Sequence, residues 1–220
     1  MIEQVLFDVS EALRIPVLVA ALAALAAVLV EAGSLLVELR RRRRRSLSGL
    51  ERAVEECRGR LAAGMEGEAL MALLPYAWNR RMEEAMAGIV EQYGKPHAET
   101  RIAKRLAELD YLSLRRLERS RVLVRMGPAL GLMGTLIPLS PALAGLAEGD
   151  VATLSENLRV AFGVTVAGLL VGAIAFAIAL VRDRLYAQDY SDVEYVAACL
   201  TNPAANAGSE SSAAWEAVPR

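Results

Sequence analysis

The chain has 220 residues, 55% of them apolar and 5% aromatic, and its 25 basic and 26 acidic side chains leave a net charge of -1. The apolar share exceeds the roughly 45–50% of soluble proteins, and Met126 to Ala147 and Val160 to Val181 each run 22 residues without a charge, about what a helix needs to cross a bilayer core. That argues against a soluble enzyme, a disulfide scaffold or a disordered chain, and Cys57, Cys199 and the single His97 are too few and too scattered for a metal cluster.

The first apolar run, Ile15 to Val30, holds 16 uncharged residues, about 24 Å of helix. It then meets Glu31 and continues to Leu39, so a span at 15–39 either takes Glu31 into the membrane or sets it at the interface. Glu3, Asp8 and Glu11 precede the run, whereas a secretory signal carries positive charge there. We therefore read residues 1–14 as an extracytoplasmic N-terminus and the run as a retained transmembrane helix, stopped by the six arginines Arg40 to Arg45.

Residues 40–121 read as a helical cytoplasmic region. Leu47, Leu50, Val54, Cys57 and Leu61 recur at the spacing of one helix face, and Leu70, Leu74, Trp78, Met82, Met86, Ile89 and Tyr93 predict a second helix that Gly94 and Pro96 end. A third starts near Ala98, carries Ile102, Leu106 and Leu109, and is expected to run into the second span, 122–147, as one rod. A short outer loop at 148–158, a third span at 159–181, and an amphipathic helix at 182–200 bearing Leu185, Tyr190, Val193, Val196 and Leu200 follow. The tail, 201–220, has a disordered composition.

Of the 25 basic residues, 20 fall between Arg40 and Arg125. The positive-inside rule then puts the N-terminus outside and the C-terminus in the cytoplasm, with contact to anionic lipid headgroups as a consequence. The arginine run lacks the interleaved aromatics of a nucleic-acid site, and no nucleic-acid partner is expected. No GxxxxGK, HExxH or GxSxG motif is present, so neither an enzyme nor a nucleotide-driven pump is indicated, and no cofactor.

Small residues stripe both later spans. Ala161, Thr165, Gly168, Gly172, Ala175 and Ala179 share one face of the third span; Gly127, Gly131, Thr135, Pro138, Ala142 and Gly145 share one face of the second. Such faces serve close helix packing or the wall of a narrow polar path. Pro128, Pro138 and Pro141 each free a carbonyl, which membrane depth tolerates only against protein or water. The second span is thus expected inside an assembly or beside a cavity.

The segment GPALGLMGTLIPL, Gly127 to Leu139, with FGVTVAGL, Phe162 to Leu169, resembles the MotA/TolQ/ExbB ion-channel family. Pro128, Gly131, Gly134 and Thr135 pair there with Thr165, Gly168 and Leu169. The resemblance implies an all-α homopentamer in the inner membrane, three spans per chain with long cytoplasmic helical extensions, ringing a central pore. That pore would hold the single span of an ExbD-, TolR- or MotB-like partner, which supplies an ion-carrying aspartate. Thr135 and Thr165 would line the ion path, with Pro128, Gly131, Gly134, Pro138, Gly168 and Gly172 as pore-facing small or kink residues. The implied function is proton or sodium flow coupled to mechanical work on the partner. Two departures stand out: Val160 occupies the place of a glutamate one turn before the second threonine in ExbB-type members, and a late proline of the third span is missing near Ile174. Neither face carries an ionisable residue, which leaves Glu31 as the chain's own membrane-depth acid, for ion handling or helix pairing. A membrane scaffold recruiting cytoplasmic proteins through 40–125, and a flagellar stator-type torque generator, are the alternatives.

Overall fold

The computed structural model describes residues 1–42, 46–147 and 149–201. Arg43 to Arg45, Glu148 and residues 202–220 of the tail expected at 201–220 lie outside the described residues, while Thr201, counted in that tail, is the last residue of a helix. The described chain is helical: α1 (Ile2–Ala12), α2 (Arg14–Arg42), α3 (Leu47–Ala62), α4 (Glu66–Leu73), a 3-10 turn at Leu74–Tyr76, α5 (Arg80–Glu91), α6 (Ala98–Ala147) and α7 (Val151–Thr201), with no strand among the described residues. Three helical segments, Asp8–Arg42, Ala98–Ala147 and Val151–Thr201, are long and apolar enough to cross a membrane. Helix α6 continues through Pro128, Pro138 and Pro141. Because α7 is helical from Val151, the connection expected at 148–158 is much shorter. Gly149 turns the chain at φ 82°, and Asp150 caps α7 by accepting from the Thr153 amide at 3.0 Å and the Thr153 hydroxyl. Those bonds hold the Asp150 carboxyl below its usual range.

The chain divides into two compact units. The first, residues 1–37 with 116–183, packs many small side chains inside and leaves many large apolar ones outside. From α2 it buries Val17, Ala21, Ala24, Val28 and Leu35, spaced by fours, threes and a seven, one face of a helix. From α7 it buries Ala161, Gly168, Val171, Gly172, Ala175, Ile178 and Ala179. Leu22, Leu132, Leu136, Phe162, Val166, Leu169 and Phe176 are all exposed. A hydrocarbon solvent does not drive large apolar groups inward, so close approach through small residues takes over.

The second unit, Glu38 to Arg115 with the chain from Arg184 on, is built like a soluble protein. Leu50, Val54, Cys57, Leu61, Leu73, Met82, Met86, Ile89, Ile102, Leu109, Val193, Val196 and Leu200 form one apolar core. Leu47, counted on the same face by spacing, is 58% exposed, since it opens α3 directly after the Ser46 cap, whose hydroxyl accepts from the Gly49 amide. The helix expected over Leu70 to Tyr93 is in fact two. Pro75 lacks an N–H and crowds the preceding turn, so α4 passes into the 3-10 turn. Asn79 then restarts the chain as α5, its side chain accepting from the Met82 amide at 3.0 Å. Across this unit Arg42 makes a two-pronged bond to Asp189, 2.6 and 2.5 Å, and also donates to the Leu185 carbonyl, while Asn79 donates to Asp189 at 3.2 Å.

Candidate functional site

The two small-residue stripes of the membrane unit meet each other. A Cβ placed on Gly168 would stand 2.5 Å from the Gly127 carbonyl oxygen and 2.8 Å from the Gly131 Cα; one on Gly127 would stand 2.6 Å from the Gly168 carbonyl. Gly131 faces the Thr165 backbone at 3.3 Å in the same sense. Only glycine permits this approach, because the obstacles are backbone atoms that cannot rotate away.

Pro128 belongs to the same seam, its ring 2.9 Å from where a Gly172 Cβ would be. The Val124 carbonyl, which the proline cannot bond, lies 3.4 Å from that point, against protein as membrane depth requires. Gly134 abuts the Val164 side chain and Pro138 is buried. The sequence reading set Pro128, Gly131, Gly134, Pro138, Gly168 and Gly172 toward a pore. Within the single chain Gly131, Gly134, Pro138, Gly168 and Gly172 are buried, and Pro128 is exposed.

Both threonine hydroxyls bond carbonyls of the same turn of α6. Thr165 on α7 donates its hydroxyl across to the Gly131 carbonyl at 3.1 Å, and Thr135 on α6 donates to the next carbonyl, Leu132, at 2.8 Å. Both are half-buried. Two hydroxyl oxygens thus stand over adjacent α6 carbonyls at the edge of the seam, each keeping lone pairs to offer a cation or water. Val160 is half-buried and Arg159 exposed on the turn before, and the polar residue buried nearby is Asn157, which accepts from Arg14 at 3.0 Å.

Glu31 is placed elsewhere. It pairs with Arg182, which is wholly buried, and Arg182 also donates to Ser34 of α2 and to Ser120 of α6, the last at 3.2 Å. The sequence reading took Arg182 as a flanking topological charge and passed over Ser34 and Ser120. The signal was the phase: Arg182 continues the buried series Ala175, Ile178 and Ala179 by threes and fours, and Glu31 continues Val17, Ala21, Ala24 and Val28.

A model of the MotA/TolQ/ExbB proton channel family matches residues 77–194, more than half of the chain, including α6 from its first turn and most of α7. No curated protein matches it.

Proposed function

Because the chain belongs to the MotA/TolQ/ExbB proton channel family, a family of membrane ion channels in energy-transducing complexes and not of enzymes, we propose that it is the ion-conducting subunit of an inner-membrane motor. Five copies surround the single span of an ExbD-, TolR- or MotB-like partner, and proton or sodium flow does mechanical work on that partner. The N-terminus lies outside and the C-terminus in the cytoplasm, following the arginine distribution. The observation that carries the reading is the bonding of the Thr135 and Thr165 hydroxyls to the neighbouring Leu132 and Gly131 carbonyls in a membrane region with no ionisable side chain of its own on those stripes. Hydroxyls can relay or coordinate the ion, and the partner supplies the carboxylate that charges and discharges. A charge crossing the whole field delivers about 2.3 kcal/mol per 100 mV, enough to drive a conformational step. The glycine seam holds the two threonines at a fixed separation while this happens.

The test is ion flux in vesicles holding the chain and the single-span protein encoded beside it. Thr135→Ala and Thr165→Ala are expected to reduce flux at least tenfold while leaving assembly intact; unchanged flux in both defeats the proposal. A second reading has one observation in its favour. Sealing of α6 against α7 within a chain is also what a membrane scaffold uses to present its helical unit to cytoplasmic proteins. Native mass measurement separates them, a pentamer supporting the motor and a monomer or dimer the scaffold.

A further inference from the structure

Charges inside an apolar helix bundle are costly and mark a function, and the membrane unit has one such cluster. Arg182 reaches Glu31 and Ser34 on α2 and Ser120 on α6, so its guanidinium joins all three long helices at one point. A second polar contact between α2 and α7 lies at the other end, where Arg14 donates to Asn157. Both contacts link the helices in the same order, so α2 and α7 run parallel. Between them α2 advances 17 residues and α7 advances 25, about 25 Å against about 37 Å of helix. The difference of about 12 Å is spanned by the two arginine side chains, Arg14 extending beyond its own helix position toward Asn157 and Arg182 back toward Glu31. A slip of one helical turn, about 5.4 Å, in either direction shortens one of these reaches and takes the other contact out of range.

We propose that Glu31 and Arg182 form a buried ion-pair clamp that, with Arg14 and Asn157 at the opposite end, fixes the first span to the third in a single parallel register, and that Glu31 is there as the counter-ion of Arg182. The first span then moves as one body with the α6–α7 hairpin. The buried α2 face holds only Val17, Ala21, Ala24, Val28 and Leu35, and an apolar seam of that kind between lipid-bathed helices carries little information about register. The ionic contact supplies it. Removing one partner leaves a buried charge without its opposite, which is far more damaging than removing both.

The proposal stands apart from what the assembly conducts, and its test reads only the thermal stability of the purified full-length protein in detergent. Glu31→Gln and Arg182→Gln are each expected to lower the midpoint by roughly 10 °C or to prevent folding. The double variant E31Q/R182Q is expected to recover more than half of the loss, folding even where a single variant does not. A charge swap, E31R/R182E, should also exceed the worse single variant. Single variants with the wild-type midpoint, or a double variant no better than the worse single, would overturn the clamp. A carrier role for Glu31 predicts that second pattern, because Arg182→Gln would then have nothing to rescue.

Discussion

The two units of this chain solve the burial problem in opposite ways. In the unit built on Glu38 to Arg115, Met82, Met86, Ile89 and Leu73 are fully buried, and water drives the large apolar groups inward. In the membrane unit Leu22 is 69% exposed and Phe162 65%, while Gly127, Gly131 and Gly168 sit in backbone contact. The lesson is that the same helical backbone, read through α6 and α7 alike, obeys whichever solvent surrounds it. Cohesion comes from area removed from water in one unit, and from van der Waals approach plus a few buried polar bonds in the other. Both units nevertheless join α2 to α7 through an arginine and a carboxylate, Arg182 with Glu31 and Arg42 with Asp189. The donor helix is reversed between them.

The sharpest way to break that contrast is to add one methyl group where backbone meets backbone. Gly168→Ala places a carbon 2.5 Å from the Gly127 carbonyl and nothing there can rotate aside, so the α6–α7 seam must open. We expect a loss of about 3 kcal/mol or more, read as failure to recover a monodisperse membrane complex. Gly163→Ala, five residues earlier with nothing within 4 Å, should behave as wild type. Comparable losses from both would show that the seam is not packed as described.

The next effect compares large side chains across the units. Met86→Ala empties a fully buried site in the helical core and should cost about 2–5 kcal/mol. Leu22→Ala removes a similar bulk from an exposed position on α2, where lipid replaces lipid-like contact, and less than about 1 kcal/mol is expected. Thermal midpoints of the two variants in the same detergent check this, and a larger loss at Leu22 would place it in a protein interface.

How much of this was readable in advance follows the same division. The three long apolar helices and the run of α6 from Ala98 through Pro128 were legible, because apolar length and residue spacing are local properties. Glu31 was visible as an intramembrane acid, yet its partner was not. Arg182 stands next to Asp183 and Arg184 at the end of an apolar run, where the positive-inside rule explains an arginine without asking which face it occupies. The break at Pro75 was hidden by the persistence of apolar spacing from Leu70 to Tyr93 across two helices. Periodicity is blind to a turn that keeps its phase, and only Pro75 and the Asn79 cap disclose it. The glycine stripes were legible as stripes. What they face is a pairing between helices about 35 residues apart, and composition carries no such pairing.

The smallest effect concerns a thiol that the helical unit seals off. Cys57 on α3 is fully buried in the core, and burial pushes its pKa from 9.0 up to about 11, with Arg60 pulling weakly the other way. A thiol with a raised folded pKa contributes stability that is complete below the unfolded value and is lost as pH climbs through the folded one. Between pH 9 and 11 the unfolded chain gains a thiolate that the folded chain resists, so the equilibrium shifts toward unfolding in that window alone. Thermal midpoints should therefore decline more steeply above pH 9 for the native chain than for Cys57→Ala. Maleimide at pH 8 should modify the half-buried Cys199 well before Cys57. Rapid labelling of Cys57 in the folded protein would mean that this core admits water and behaves less like a soluble protein than its side chains imply, and the contrast with the membrane unit would weaken accordingly.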